Sequence, residues 1–134
     1  MMPPPGYTKT DLIDPFEIHV GPIYERTDNG TRSFLLIVDD RHVNGRGVVH
    51  GGMLMTFADL ALGAAAWDAA DKAPVVTVSM QSQFLKSARA GDHIEVTPEL
   101  VRRTRSLVFM RGDFRVSGAV IYSASSVWKL LGQG

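Results

Sequence analysis

At 134 residues, with 45% hydrophobic and 21% charged side chains, the chain has the size and composition expected of one ordinary globular domain; a disordered or fibrous chain is excluded, and two domains have little room in it. The absence of cysteine removes disulfides, thiolate metal sites and a cysteine nucleophile. Basic and acidic residues number 14 each, for zero net charge, without the basic excess that nucleic-acid binding needs.

Residues 1–15 hold Pro3, Pro4, Pro5 and Pro15 and read as a flexible arm with a short turn near Asp11 to Ile13, ahead of a single domain over 16–134. The N-terminus has no basic segment followed by an apolar one, and no run approaches the roughly 18 apolar residues of a membrane span. A cytoplasmic protein without membrane attachment is expected. Ile18 to Tyr24 and Ser33 to Val38 suit strands. Between them Asp28-Asn29-Gly30 predicts a tight antiparallel hairpin, because Asn and Gly accept the positive φ of such turns. The polar stretch Asp39 to Val49, with Gly45 and Gly47, reads as a loop.

A helix follows from Gly52 to about Ala70, rich in Met, Leu and Ala with almost no β-branched residue. It is apolar nearly all the way round, so protein must surround it. Val75 to Leu85, His93 to Arg103, Leu107 to Val116 and Ala119 to Leu130 then suit strands, the last two junctions being hairpins. Pro98 falls inside the second of these, where it fits only at a bulge or an unpaired edge. The order predicts an α+β domain, a curved antiparallel sheet of about six strands wrapped around one long helix.

Two features near the helix start carry chemistry. Gly51 and Gly52 stand where loop becomes helix, so backbone N–H groups face outward with no side chain in front of them, a place to hold an oxyanion. Asp59 is a carboxylate among Phe57, Ala58, Leu60, Ala61 and Leu62. Buried without a cationic partner, it would have its pKa raised towards that of a general base. Pairing with a buried polar group, or facing out through a gap in the sheet, is the competing structural reading. For His50 the competing role is a helix cap. His50 and Asp59 are nine positions apart, roughly 13 Å of rise and two and a half turns, and so point to opposite sides. If both act, one site is built from two subunits.

Asn44 six residues before His50, the His50-Gly51-Gly52 triplet, Asp59 nine residues after His50, and the strand Pro74-Val75-Val76-Thr77-Val78-Ser79-Met80 together resemble the PaaI-type thioesterases of the hotdog superfamily. The likeness continues through Leu85-Lys86-Ser87-Ala88-Arg89-Ala90-Gly91-Asp92 and Thr104-Arg105-Ser106, covering about Pro15 to Leu130. It implies a hotdog fold and hydrolysis of an acyl-CoA thioester. The Gly51 N–H would bind the thioester oxygen, and Asp59 would act as general base or nucleophile. Asn44 would hold the carbonyl or the water, Thr77 would orient the water, and His50 would set the loop and thioester. Thr77 stands where relatives often have serine, with the same hydroxyl but a stiffer rotamer. A site across a dimer interface is implied too.

Coenzyme A phosphates would meet Gly52 and the late basic residues Lys86, Arg89, Arg102, Arg103 and Arg105. No metal and no cofactor are expected, coenzyme A being part of the substrate, and a homodimer or homotetramer is. Met55, Phe57 and Leu62 are the helix residues expected to line the acyl pocket. The competing reading is a hotdog domain that binds acyl-CoA without hydrolysing it. A helix-turn-helix regulator lacks the two further helices it needs, and no hydratase pattern surrounds His19, His42 or His93.

Overall fold

The computed structural model describes residues 2–11 and 14–132; Leu12 and Ile13, within the turn expected near Asp11 to Ile13, lie outside them. The elements run β1 (Thr8–Lys9), α1 (Pro15–Val20), β2 (Ile23–Asp28), β3 (Thr31–Ile37), a 3-10 turn (Asp40–His42), α2 (Gly51–Ala69), β4 (Val75–Phe84), β5 (His93–Val96), β6 (Glu99–Arg103), β7 (Leu107–Val116) and β8 (Ala119–Leu130). All pairings are antiparallel in the order β1-β2-β3-β5-β7-β8-β4, with β6 on β7. The sheet curves around α2, an α+β hotdog.

The expected secondary structure fails in three places, each for a local reason. Ile18 to Val20 is helical rather than strand, because the Asp14 side chain caps the Phe16 N–H at 3.0 Å and Pro15 starts the turn. Thr8 and Lys9, within the expected arm, add a short strand to β2, and the adjacent Tyr7 is buried with its hydroxyl donating to Glu95. The strand expected over His93 to Arg103 breaks into β5 and β6 around Thr97-Pro98, since proline has no N–H for a ladder. These changes bring the strand count among the described residues to eight. The hairpin stands as read, with Asn29 at φ 52 and Gly30 at φ 78.

The core lies between the concave sheet face and α2, where Phe57, Ala58, Ala61, Leu62 and Ala66 are fully buried. Phe57 meets Phe114 edge to face at 5.4 Å, Phe114 meets Tyr122 at 5.1 Å, and Tyr122 meets Phe84 at 5.1 Å. The opposite stripe of α2 is uncovered in the single chain: Met55 is 44% and Trp67 37% exposed. The all-round burial expected of this helix is therefore not reached within the chain. No helix among the described residues is long and apolar enough to cross a membrane.

Candidate active site

The corner where loop becomes α2 is held by hydrogen bonds from both sides. Asn44 Oδ1 accepts from the Arg46 N–H at 2.9 Å and the Val48 N–H at 3.3 Å, which folds the loop back on itself. The buried His42 ring is suspended between two backbone groups. Its Nδ1 accepts from the Asp39 N–H at 3.0 Å and its Nε2 donates to the Val20 carbonyl at 2.6 Å. The His42 carbonyl in turn accepts from the His50 N–H at 2.8 Å.

His50 is the N-cap of α2, and its Nδ1 accepts from the Gly52 N–H at 2.8 Å. A side chain on Gly52 would press on that ring, its Cβ only 3.0 Å from Nδ1. A Cβ on Gly51 would stand 3.3 Å from the Phe84 ring. Among the described residues the Gly51 N–H takes part in no hydrogen bond. One donor at the positive end of the helix dipole therefore remains available.

Asp59 lies on the open stripe of α2 and is exposed, so the burial inferred from helix composition is not found in the single chain. The acid stands on the side of α2 that the sheet leaves uncovered, rather than behind a gap in the sheet. Its Oδ1 accepts from Thr77 Oγ1 at 2.6 Å. A bulge in β4 makes this contact compatible with the rest of the strand: Thr77 pairs with Trp128 while Ser79 already pairs with Val127, leaving Val78 extra. Strand side chains alternate faces, and one inserted residue reverses the parity. Val75 and Thr77 therefore face α2 before the bulge, and Met80, Ser82 and Phe84 do so after it. Ser82 shares a 2.5 Å hydrogen bond with the Tyr122 hydroxyl, which burial pushes above the usual tyrosine pKa and this bond partly restores.

Two adjoining cavities lie along the stripe. One, of about 460 Å³, includes Phe16, Gly52, Met55, Thr56 and Met80 in its lining, and the other, of about 300 Å³, includes Gly63, Trp67, Val75 and Trp128. Asp14, Asp59 and Leu60 border both. The fold thus brings Gly52 and Asp59 into one groove. Phe57 and Leu62, expected to line the acyl pocket, are instead fully buried core residues, and of the three expected helix residues only Met55 borders the groove. Phe84, Trp67, Trp128 and Asp14 entered no sequence argument, since their relation to Asp59 and Gly51 is made by pairing distant segments.

The candidate phosphate-binding cations form two groups. Arg89 is bridged to Val48 beside the helix start, and the Lys86 N–H donates to the Ile121 carbonyl at the Phe84 end of β4. Arg103 and Arg105 lie at the β6–β7 hairpin, whose Ser106 carbonyl accepts from Leu130, the partner of Val75 at the other end of β4. Arg102 precedes Arg103 on β6; all five are exposed, and among the described residues none is ion-paired. Within one chain they do not converge.

The thioesterase superfamily model matches residues 46–120, which span the glycine corner, α2 and the strands from β4 to the start of β8. The Pseudomonas aeruginosa protein PA0474 is 30% identical over 129 residues, covering 95% of this chain and 96% of its own. Mouse acyl-coenzyme A thioesterase 13 is 29% identical over 76 residues, 57% of this chain and 54% of that one. Among solved structures, the Escherichia coli PaaI protein from the phenylacetic acid degradation operon superposes with a TM-score of 0.77 at 19% identity, covering 90% of this chain and 87% of that one.

Proposed function

The chain belongs to the thioesterase superfamily, and on that premise we propose that it hydrolyses acyl-CoA thioesters with aryl or short to medium acyl groups to the free acid and coenzyme A. The observation that carries this reading is an exposed Asp59, oriented by Thr77, in a groove that begins at the glycine corner. Asp59 takes a proton from water as the water oxygen attacks the thioester carbon, and the Gly51 N–H donates to the developing oxyanion. The C–S bond then breaks, the thiolate leaving without strong acid assistance. Direct attack by the carboxylate, followed by hydrolysis of the anhydride, uses the same residues. Asn44 through its amide and His50 through its hold on the corner position the carbonyl.

Spacing favours a site built from two chains. Gly51 and Asp59 are eight residues apart, roughly 12 Å of rise, whereas an oxyanion donor and a base acting on one carbonyl must each come within about 3 Å of the reacting atoms. β4 offers the means. Among the described residues it has a neighbour, β8, on one side only, and Val76, Val78, Phe84 and Leu85 along it are 41–59% exposed. A long edge with one side unpaired is a template for a second strand. Two-fold antiparallel pairing of β4 with its copy sets the Phe84 and Gly51 end of one chain towards the Thr77 and Asp59 end of the other. The same operation brings Lys86 and Arg89 of one copy towards Arg103 and Arg105 of its mate, around the phosphates of coenzyme A. Gly52 completes that corner. The assembly is a homodimer or a pair of such dimers in the cytoplasm, with no metal or cofactor and no nucleic-acid or membrane partner.

Thiol release from a panel of acyl-CoAs tests the reading, with activity expected in the wild type and a loss of about 10² to 10³ in Asp59→Ala. Undiminished turnover in that variant removes Asp59 from the mechanism. Acyl-CoA binding without any thiol release supports the non-catalytic binding domain instead. Reassembling Asp59→Ala chains with Gly51→Val chains should restore part of the activity in mixed dimers, and no recovery counts against a shared site.

A further inference from the structure

We propose that the cavity between Asp59 and the two tryptophans, Trp67 and Trp128, receives the acyl group of the thioester, that this group is apolar and uncharged, and that Trp67 sets its maximal length. The proposal rests on the acyl-CoA reading above and adds to it which end of the groove takes the acyl chain. Leu60, Gly63 and Ala64 of α2 form one wall, Pro74 and Val75 at the start of β4 another, and Trp128 the floor. Asp59 stands at the mouth, so a carbonyl carbon presented to it directs its substituent along this trough. Trp67 follows Asp59 by eight residues, roughly 12 Å along the helix, space for an aryl ring or a medium-length chain.

The chemistry of the lining selects the class. The Trp128 Nε1–H is already used, donating to Ser126 at 2.8 Å, so the edge of the indole nearest Gly63 is hydrocarbon. A Cβ on Gly63 would stand 2.8 Å from Trp128 Cη2; the glycine lets the floor lie directly beneath the helix. Trp67 is held from outside by Lys72, whose Nζ lies 4.3 Å from the ring centroid. The cation bordering the cavity, Arg32, is occupied: it donates to Glu25 at 2.6 Å and to Asp68 at 2.9 Å. Asp14 and Asp59 are both carboxylates. A second carboxylate on the acyl chain would find repulsion and no free partner there, which excludes dicarboxylic acyl groups.

Trp67 and Trp128 are the two tryptophans of the chain, so intrinsic fluorescence reports on this cavity independently of turnover. The test titrates the full-length protein with free CoA, acetyl-CoA, succinyl-CoA, hexanoyl-CoA and decanoyl-CoA, alongside thiol-release assays of the wild type, Trp67→Ala, Trp67→Phe and Val75→Phe. Emission should change with hexanoyl-CoA and not with free CoA or succinyl-CoA. Trp67→Ala should move the acyl-length optimum up by two or more carbons and raise kcat/KM for decanoyl-CoA about tenfold. Val75→Phe should move it down, and Trp67→Phe, which keeps one aromatic ring in place of two, should move it up by less than Trp67→Ala does. Thiol release with the same length profile in all four proteins overturns this inference while leaving the hydrolase reading intact. Length-dependent fluorescence without thiol release keeps the pocket and refutes the hydrolase. An equal response to free CoA and hexanoyl-CoA overturns the pocket assignment.

Discussion

The Thr77 hydroxyl donates to Asp59 Oδ1 across 2.6 Å, joining an edge strand to the open stripe of the central helix. Both groups are exposed in the single chain, so the bond fixes where the carboxylate points more than it stabilises the fold. Thr77→Val keeps the shape and deletes the donor. It should lower kcat by about 10 to 100-fold while changing stability by less than ~1 kcal/mol. Thr77→Ser keeps the donor and should retain activity within a few-fold. Thiol-release kinetics and thermal melts of the two variants check this, and a Val variant as active as wild type refutes a role for the hydroxyl.

Gly63 and Trp128 make a second close relationship. Alanine is the better helix former by about 1 kcal/mol, so propensity alone predicts that Gly63→Ala stabilises. Packing predicts the reverse. The new Cβ would lie 2.8 Å from a ring that is 4% exposed and tethered by its own N–H to Ser126, and overpacking of this kind costs about 1 to 3 kcal/mol. A net loss of stability, with a lower urea midpoint at unchanged slope, is expected. A higher midpoint would mean that the indole yields.

The far end of α2 supplies a pH prediction. Burial by itself would raise the Asp68 pKa, but hydrogen bonds from Lys72 and Arg32 outweigh it and hold the carboxylate below its ordinary range. A carboxylate lowered in the folded state stabilises fully above its unfolded pKa, about 3.9, and the gain is lost as pH falls through the folded value. Asp68→Asn should therefore be less stable than wild type near pH 6 by about 1 kcal/mol, solvent screening weakening these partly exposed pairs, and the gap should close on acidification below about pH 4. Thermal denaturation across that range measures it. A gap that stays constant with pH would assign the loss to packing rather than charge.

Sequence alone determined most of the architecture, because its signals are local. Asn29-Gly30 demands positive φ, the alanine-rich run from Gly52 favours helix, and the stretches Leu107 to Val116 and Ala119 to Leu130, parted by Ser117-Gly118, suit strands whose ends agree with those observed. The glycine corner and Asp59 were legible for the same reason, each being unusual against its immediate neighbours. What tertiary structure decided is everything that depends on which distant segments meet. Composition made Asp59 a buried acid, yet the sheet covers only the other side of α2, and Thr77 reaches it from a strand 18 residues later. The parity change at Val78 that turns Met80, Ser82 and Phe84 inward exists only in the pairing of β4 with β8. The two tryptophans beside Gly63 are 61 positions apart and share a cavity because the sheet folds back over the helix. A chain can announce a residue's chemistry locally; its surroundings are set by long-range pairing, which no local pattern encodes.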